Sequence, residues 1–100
     1  MDARIRELIR KAKIVPVAVF GNTKSAVRTA ALLEEASLPL VEVTLRTEAA
    51  FDCIREIART LPGVTVGAGS VLSVESLKKA ADAGAGFFVA PCLDTEVMEY

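Results

Sequence analysis

The chain has 100 residues, 12 basic and 13 acidic, for a formal net charge of −1, and 52% of it is hydrophobic. That length allows one domain with one modest core, and that apolar share excludes a disordered chain. Lys and Arg are spread evenly, with no basic patch and no aromatic stacking platform, which excludes nucleic acid as a partner.

The opening segment, MDARIRELIRKAK, is charged and amphipathic rather than a secretory signal. Ile5, Leu8, Ile9 and Ala12 fall at i, i+3, i+4 and i+7, which predicts a helix with one apolar face. IVPVAVF (Ile14 to Phe20) is short, continuous and β-branched, as a strand covered on both sides should be. Pro16 fits there only at a strand start or an edge. In GNTKSAVRTAALLEEA, Gly21 turns the chain, Asn22 or Thr23 caps, and Ala26, Val27, Ala30 and Leu33 make a helical stripe. The cycle repeats. PLVEVTL reads as a strand, and TEAAFDCIREIARTLPG as a helix carrying Phe51, Ile54, Ile57, Ala58 and Leu61, stopped by Pro62-Gly63. VTVGAGS is a third strand, and SVESLKKAADAGA a helix with Ser73 as cap and Gly84 just past its end. GFFVAPC is a fourth strand, and LDTEVMEY predicts a helix starting at Asp94 or Thr95.

Strand starts recur about every 25 residues, a period that implies a parallel sheet with right-handed crossovers. No linker divides the chain, so residues 1–100 read as a single domain. No apolar run reaches membrane-spanning length, which argues against a membrane partner. Cys53 and Cys92 lie far apart and suit free buried thiols in a reducing cytoplasm. Histidine is absent, so acid–base chemistry falls to Glu, Asp, Lys, Tyr, Cys or water. Cys92, at a strand end without a histidine partner, reads as a structural thiol rather than a nucleophile.

The second strand, LVEVTLRT (Leu40 to Thr47), carries Glu42, Thr44 and Arg46 at alternate positions. Side chains alternate across a strand, so Val41, Val43 and Leu45 face helices while the three polar residues share the other face. A doubly wound sheet covers both faces and strands an acid at a cost. A closed barrel turns that second face into a lumen whose C-terminal mouth holds the active site. The row is therefore either a lumen row or a structural ion pair, Glu42 with Arg46, on an exposed edge. By the same alternation Val17, Val19, Val66 and Ala68 are expected on the lumen face. Gly67 and Gly69 permit close approach, either by a ligand or by a packed helix.

EVTLRT (42–47), VGAGSVLS (66–73) and FFVAPCLD (87–94), with KIVPVAVF (13–20) ahead of them, resemble the 2-keto-3-deoxy-6-phosphogluconate aldolase / 4-hydroxy-2-oxoglutarate aldolase family over essentially the whole chain. The resemblance implies an α/β fold: half of a TIM (β/α)8 barrel, four parallel strands with crossover helices after a short N-terminal helix. It implies a trimeric class I aldolase that forms a Schiff base between a lysine and pyruvate, with no metal and no cofactor. By the same resemblance Glu42 is the proton shuttle, Arg46 lies near the substrate carboxylate, and Ser70 stands where relatives commonly carry Thr and binds the pyruvyl carboxylate. Pro91 matches the Ser-Pro that ends strand four in the family, with Ala90 in place of Ser. Thr47 is expected to cap the next helix. A basic residue that ends strand one in several relatives is absent near Val19.

The family's Schiff-base lysine lies on strand six and its phosphate site follows strands seven and eight, both beyond this sequence. Lys11 and Lys13 precede strand one, and Lys24, Lys78 and Lys79 fall on helices, none in the apolar strand setting that depresses a lysine pKa. Two functions follow. One is the lyase that cleaves 2-keto-3-deoxy-6-phosphogluconate to pyruvate and glyceraldehyde 3-phosphate, here an N-terminal half expected to be inactive alone. The other is a non-catalytic half-barrel folding module that self-associates into a homo-oligomer through its open face, or relaxes into a flat flavodoxin-like sheet with the first helix over that face. A nucleotide-binding domain is disfavoured, because VGAGSVL lacks the third glycine of the dinucleotide fingerprint.

Overall fold

The computed structural model describes residues 3–90; Pro91, Cys92 and the helix expected at Asp94 or Thr95 lie outside them. The elements run α1 (Ala3–Ala12), β1 (Val17–Ala18), α2 (Thr23–Glu35), β2 (Leu40–Thr44), α3 (Ala50–Thr60), β3 (Thr65–Gly69), α4 (Val74–Ala83) and β4 (Phe87–Val89). The expected alternation is the one that forms. β1 is shorter than its apolar run because it is an edge: it pairs only with β2, and Pro16, just ahead of it, contributes a carbonyl to the Glu42 N–H at 2.8 Å.

Local chemistry sets the helix boundaries. Asn22 accepts the Ser25 N–H at 2.8 Å and Ser73 accepts the Ser76 N–H at 3.1 Å, each replacing an orphan helix-start partner. α4 ends at Gly84 with φ +110, a left-handed conformation that a Cβ disfavours. α3 ends at Thr60, two residues before Pro62, which cannot continue it.

All four strands are parallel, in the order β1-β2-β3-β4. α2 packs on α3 and α3 on α4, so the crossovers lie side by side in one layer. A flavodoxin-like sheet would require a reversal in strand order and helices on both faces. Among the described residues neither is present, and that expectation is corrected. Instead α1 closes the N-terminal end of the strands, where Arg4, Ile5 and Leu8 line a cavity of about 330 Å³ with Pro39, Pro62, Gly63 and Thr65.

The register separates the two faces. Val17, Glu42, Gly67 and Phe87 stand in one row across the sheet, and Ala18, Val43, Ala68 and Phe88 in the next. Odd-numbered β2 residues and even-numbered β3 residues therefore share the helix face. Val41, Val43, Val66 and Ala68 join Ala26, Ala30, Cys53, Ile54, Ile57, Leu77 and Ala80 in one core. The assignment of Val66 and Ala68 to the lumen face is thus overturned: an odd-length offset between β2 and β3 puts Thr65, Gly67 and Gly69 there instead. Val17 and Val19 do lie on the open side, 62% and 52% exposed.

Candidate active site

The lumen row builds the site. Glu42 sits mid-way along β2 with 9% of its surface exposed, and Thr44, one step nearer the C-terminal end, with 5%. Among the described residues Glu42 has neither an ion pair nor a side-chain hydrogen bond; the pairs Glu7–Arg10, Asp52–Arg55 and Glu56–Arg59 all lie on helix exteriors. The structural pairing of Glu42 with Arg46 is therefore not what forms. Burial without a compensating cation pushes the Glu42 carboxyl above the usual carboxylate range.

The chain turns tightly after β2. The Leu45 N–H continues the ladder to the Gly69 carbonyl at 2.9 Å, and the Arg46 N–H folds back to the Thr44 carbonyl at 2.8 Å. Arg46 is left exposed at the rim. Thr47 does not cap α3, whose first turn has no side-chain cap. Its hydroxyl donates to the Phe20 carbonyl at 2.7 Å, tying the loop after β2 to the end of β1.

Ser70 follows Gly69 directly and holds φ +60, an unusual value for a residue with a Cβ. The next N–H, of Val71, bonds the Val89 carbonyl at 3.1 Å. Arg46 and Ser70 thus stand just past the paired ends of neighbouring strands, on one rim, with Glu42 below. Pro91 lies outside the described residues.

Two features of the site were not legible as function in the sequence. Phe87, 3% exposed, lays its ring where a Cβ of Gly67 would stand, and the Glu42 carboxylate occupies the corresponding space at Gly69. The two glycines admit side chains from adjacent strands rather than a helix. The signal was the register, which composition does not give.

A family model described as KDPG and KHG aldolase matches residues 5–100. The chain belongs to that aldolase family. It is 41% identical to the KHG/KDPG aldolase of Escherichia coli (strain K12) over 86 residues, 86% of this chain and 40% of that protein. The crystal structure of the 2-keto-3-deoxy-6-phosphogluconate aldolase of Zymomonas mobilis ZM4 with 3-phosphoglycerate superposes with a TM-score of 0.81 at 40% identity, covering 90% of this chain and 43% of that one. The KDPG aldolase of Legionella pneumophila, solved with pyruvate captured at low pH as a covalent carbinolamine intermediate, gives a TM-score of 0.80 at 29% identity, over 85% of this chain and 41% of that one. The chain spans less than half the length of these aldolases. Its four parallel strands are therefore the strands of an aldolase barrel, and the face bearing Glu42 is the lumen side. No described helix is long and apolar enough to cross a membrane.

Proposed function

We propose that this chain supplies the proton-transfer and carboxylate-binding half of a class I aldolase that cleaves a 4-hydroxy-2-oxo acid, such as 2-keto-3-deoxy-6-phosphogluconate, to pyruvate and an aldehyde. The observation that carries this reading is Glu42: a buried, unpaired carboxylate of raised pKa on the lumen side of the sheet.

The chemistry needs such a group at several steps. An amine adds to the C2 carbonyl of the keto acid to give a carbinolamine, the species captured in the Legionella relative. Loss of its hydroxyl as water requires a proton from an acid. Cleavage of the C3–C4 bond then requires a base to take the C4 hydroxyl proton, as the bonding pair flows into the iminium and leaves an enamine. A carboxyl poised nearer neutrality than an exposed glutamate both gives and takes that proton. The guanidinium fork of Arg46 suits the planar carboxylate of the substrate, with the Ser70 hydroxyl donating to the same anion. Pro91 completes that side by resemblance.

The amine comes from elsewhere in the barrel. Lys11, Lys13, Lys24, Lys78 and Lys79 are all exposed on helices or at a helix end, and Lys79 stands 4.6 Å from the Phe51 ring centroid. We therefore assign the 100-residue unit, a single (β/α)4 fold, no lyase activity by itself. The free buried Cys53 is in keeping with a reducing cytoplasm.

Borohydride trapping with pyruvate, read by mass spectrometry, tests both halves of the proposal. The 100-residue chain should yield no pyruvyl-lysine; an adduct on any of its lysines overturns its inactivity. The chain completed by the remaining strands of a relative should yield the adduct. In that barrel Glu42→Gln should lower kcat about 10²- to 10⁴-fold, and undiminished turnover would sink the role of Glu42.

A second reading is favoured by a separate observation. Val17, Val19 and Val89 are 62%, 52% and 43% exposed on the open side of the two edge strands. As an isolated polypeptide the unit acts as a folding module that self-associates there, because unpaired edges and adjoining apolar side chains favour strand pairing with a second copy.

A further inference from the structure

Gly69 has a reason to be glycine that the backbone does not supply. Among the described residues the only glycine with a positive φ is Gly84, so the conformation at Gly69 is open to any residue. The space above it is not. β3 runs beside β2 with Gly67 opposite Glu42 and Gly69 opposite Thr44. Glu42 leans along the strand, so that a Cβ at Gly69 would overlap Oε2 and stand 2.8 Å from Cδ and 3.1 Å from Cγ. Gly67 serves a different neighbour, the Phe87 ring.

We propose that Gly69 is a positioning residue: its missing side chain forms the berth that holds the Glu42 carboxylate down against the sheet. This rests on the reading of Glu42 as the proton carrier. Among the described residues no charge competes for that carboxylate. β1 presents Val17 in its row, β3 presents Gly67 and Gly69, and β4 presents Phe87 and Val89. Arg46, on the continuation of β2, forms no ion pair with it. Contact with the sheet therefore shields most of the group while its oxygens still touch solvent, and a methyl at position 69 lifts it further into the open face, where more water reaches it.

The obstacle to that methyl is the far end of a flexible side chain, so the fold should accept Gly69→Ala while the site does not. In the 100-residue chain, ¹³C-carboxyl NMR follows the titration of Glu42, its resonance assigned by its loss in Glu42→Gln. Gly69→Ala should fold and lower the Glu42 midpoint toward that of an ordinary glutamate; a folded variant with an unmoved midpoint overturns the proposal. Should Gly69→Ala not fold, the pair Glu42→Ala/Gly69→Ala decides. Recovery of the fold identifies Glu42 as the obstacle and supports the berth, whereas continued failure places the clash elsewhere and overturns it. None of these readouts depends on turnover, so the proposal and the catalytic role of Glu42 can fail separately.

Discussion

Glu42 couples the site to the stability of the fold. Its carboxyl is neutral in both folded and unfolded chains at acid pH. As pH rises through the ordinary glutamate value the unfolded chain ionises first, while the folded one resists because its pKa is raised by burial. Stability attached to this group is thus full below the unfolded pKa and lost as pH climbs through the folded one. Glu56 has the opposite sign, its pKa lowered by a hydrogen bond from Arg59 on the α3 exterior. We expect Glu42→Gln to lose less stability than the parent between acid and neutral pH in urea titrations; parallel losses in the two chains would contradict the burial argument. Ser70 poses a related trade. Its left-handed φ costs roughly 1–2 kcal/mol for a residue with a Cβ, against roughly 0.5–1 kcal/mol of extra chain entropy for glycine. Ser70→Gly should therefore leave stability unchanged or raise it by up to about 1.5 kcal/mol, while weakening 2-keto acid binding in a completed barrel. A clear destabilisation would show that Ser70 is held there by contacts worth more than its strain.

Between elements, one rigid constraint lies where α4 ends against α3. Gly84 adopts φ +110 and a Cβ there would stand 2.8 Å from the Ala58 Cβ. Gly84→Ala thus meets a steric penalty twice, once in its own backbone and once against a neighbour that cannot swing away. We expect a loss of about 1–3 kcal/mol by denaturant unfolding, against under about 0.5 kcal/mol for removing the exposed Asp52–Arg55 pair. Gly84 and the caps Asn22 and Ser73 were legible in the sequence because they act within a few residues of themselves. Thr47 was not. Its hydroxyl reaches the Phe20 carbonyl 27 residues away, and nothing local distinguishes that bond from a helix cap.

At the scale of the whole molecule, the described residues form a sheet covered by helices on one face and open along parts of the other. The two edge strands carry that exposure through Val17 and Val19 at one side and Val89 at the other. As a 100-residue polypeptide the chain is expected to show a concentration-dependent mass by sedimentation equilibrium, and the double change Val17→Lys/Val19→Lys should shift it toward monomer. Lysines at an edge strand oppose strand addition by charge. A parent chain that stays monomeric at high concentration would remove the self-association reading, leaving the aldolase reading untouched.

The sequence by itself determined which segments become strands and helices, where most of them stop, and that β2 carries a polar row. Those are consequences of side-chain periodicity and short-range capping, which act along the chain. Only the tertiary structure decided what that row faces. The register between β2 and β3 set Val66 and Ala68 in the core and Gly69 beneath Glu42. The turn after β2 left Arg46 exposed at the rim instead of paired with the acid. The reason is physical: a shift of one residue between parallel strands exchanges the two faces, and that offset is settled by pairing and packing between segments, which no single segment displays.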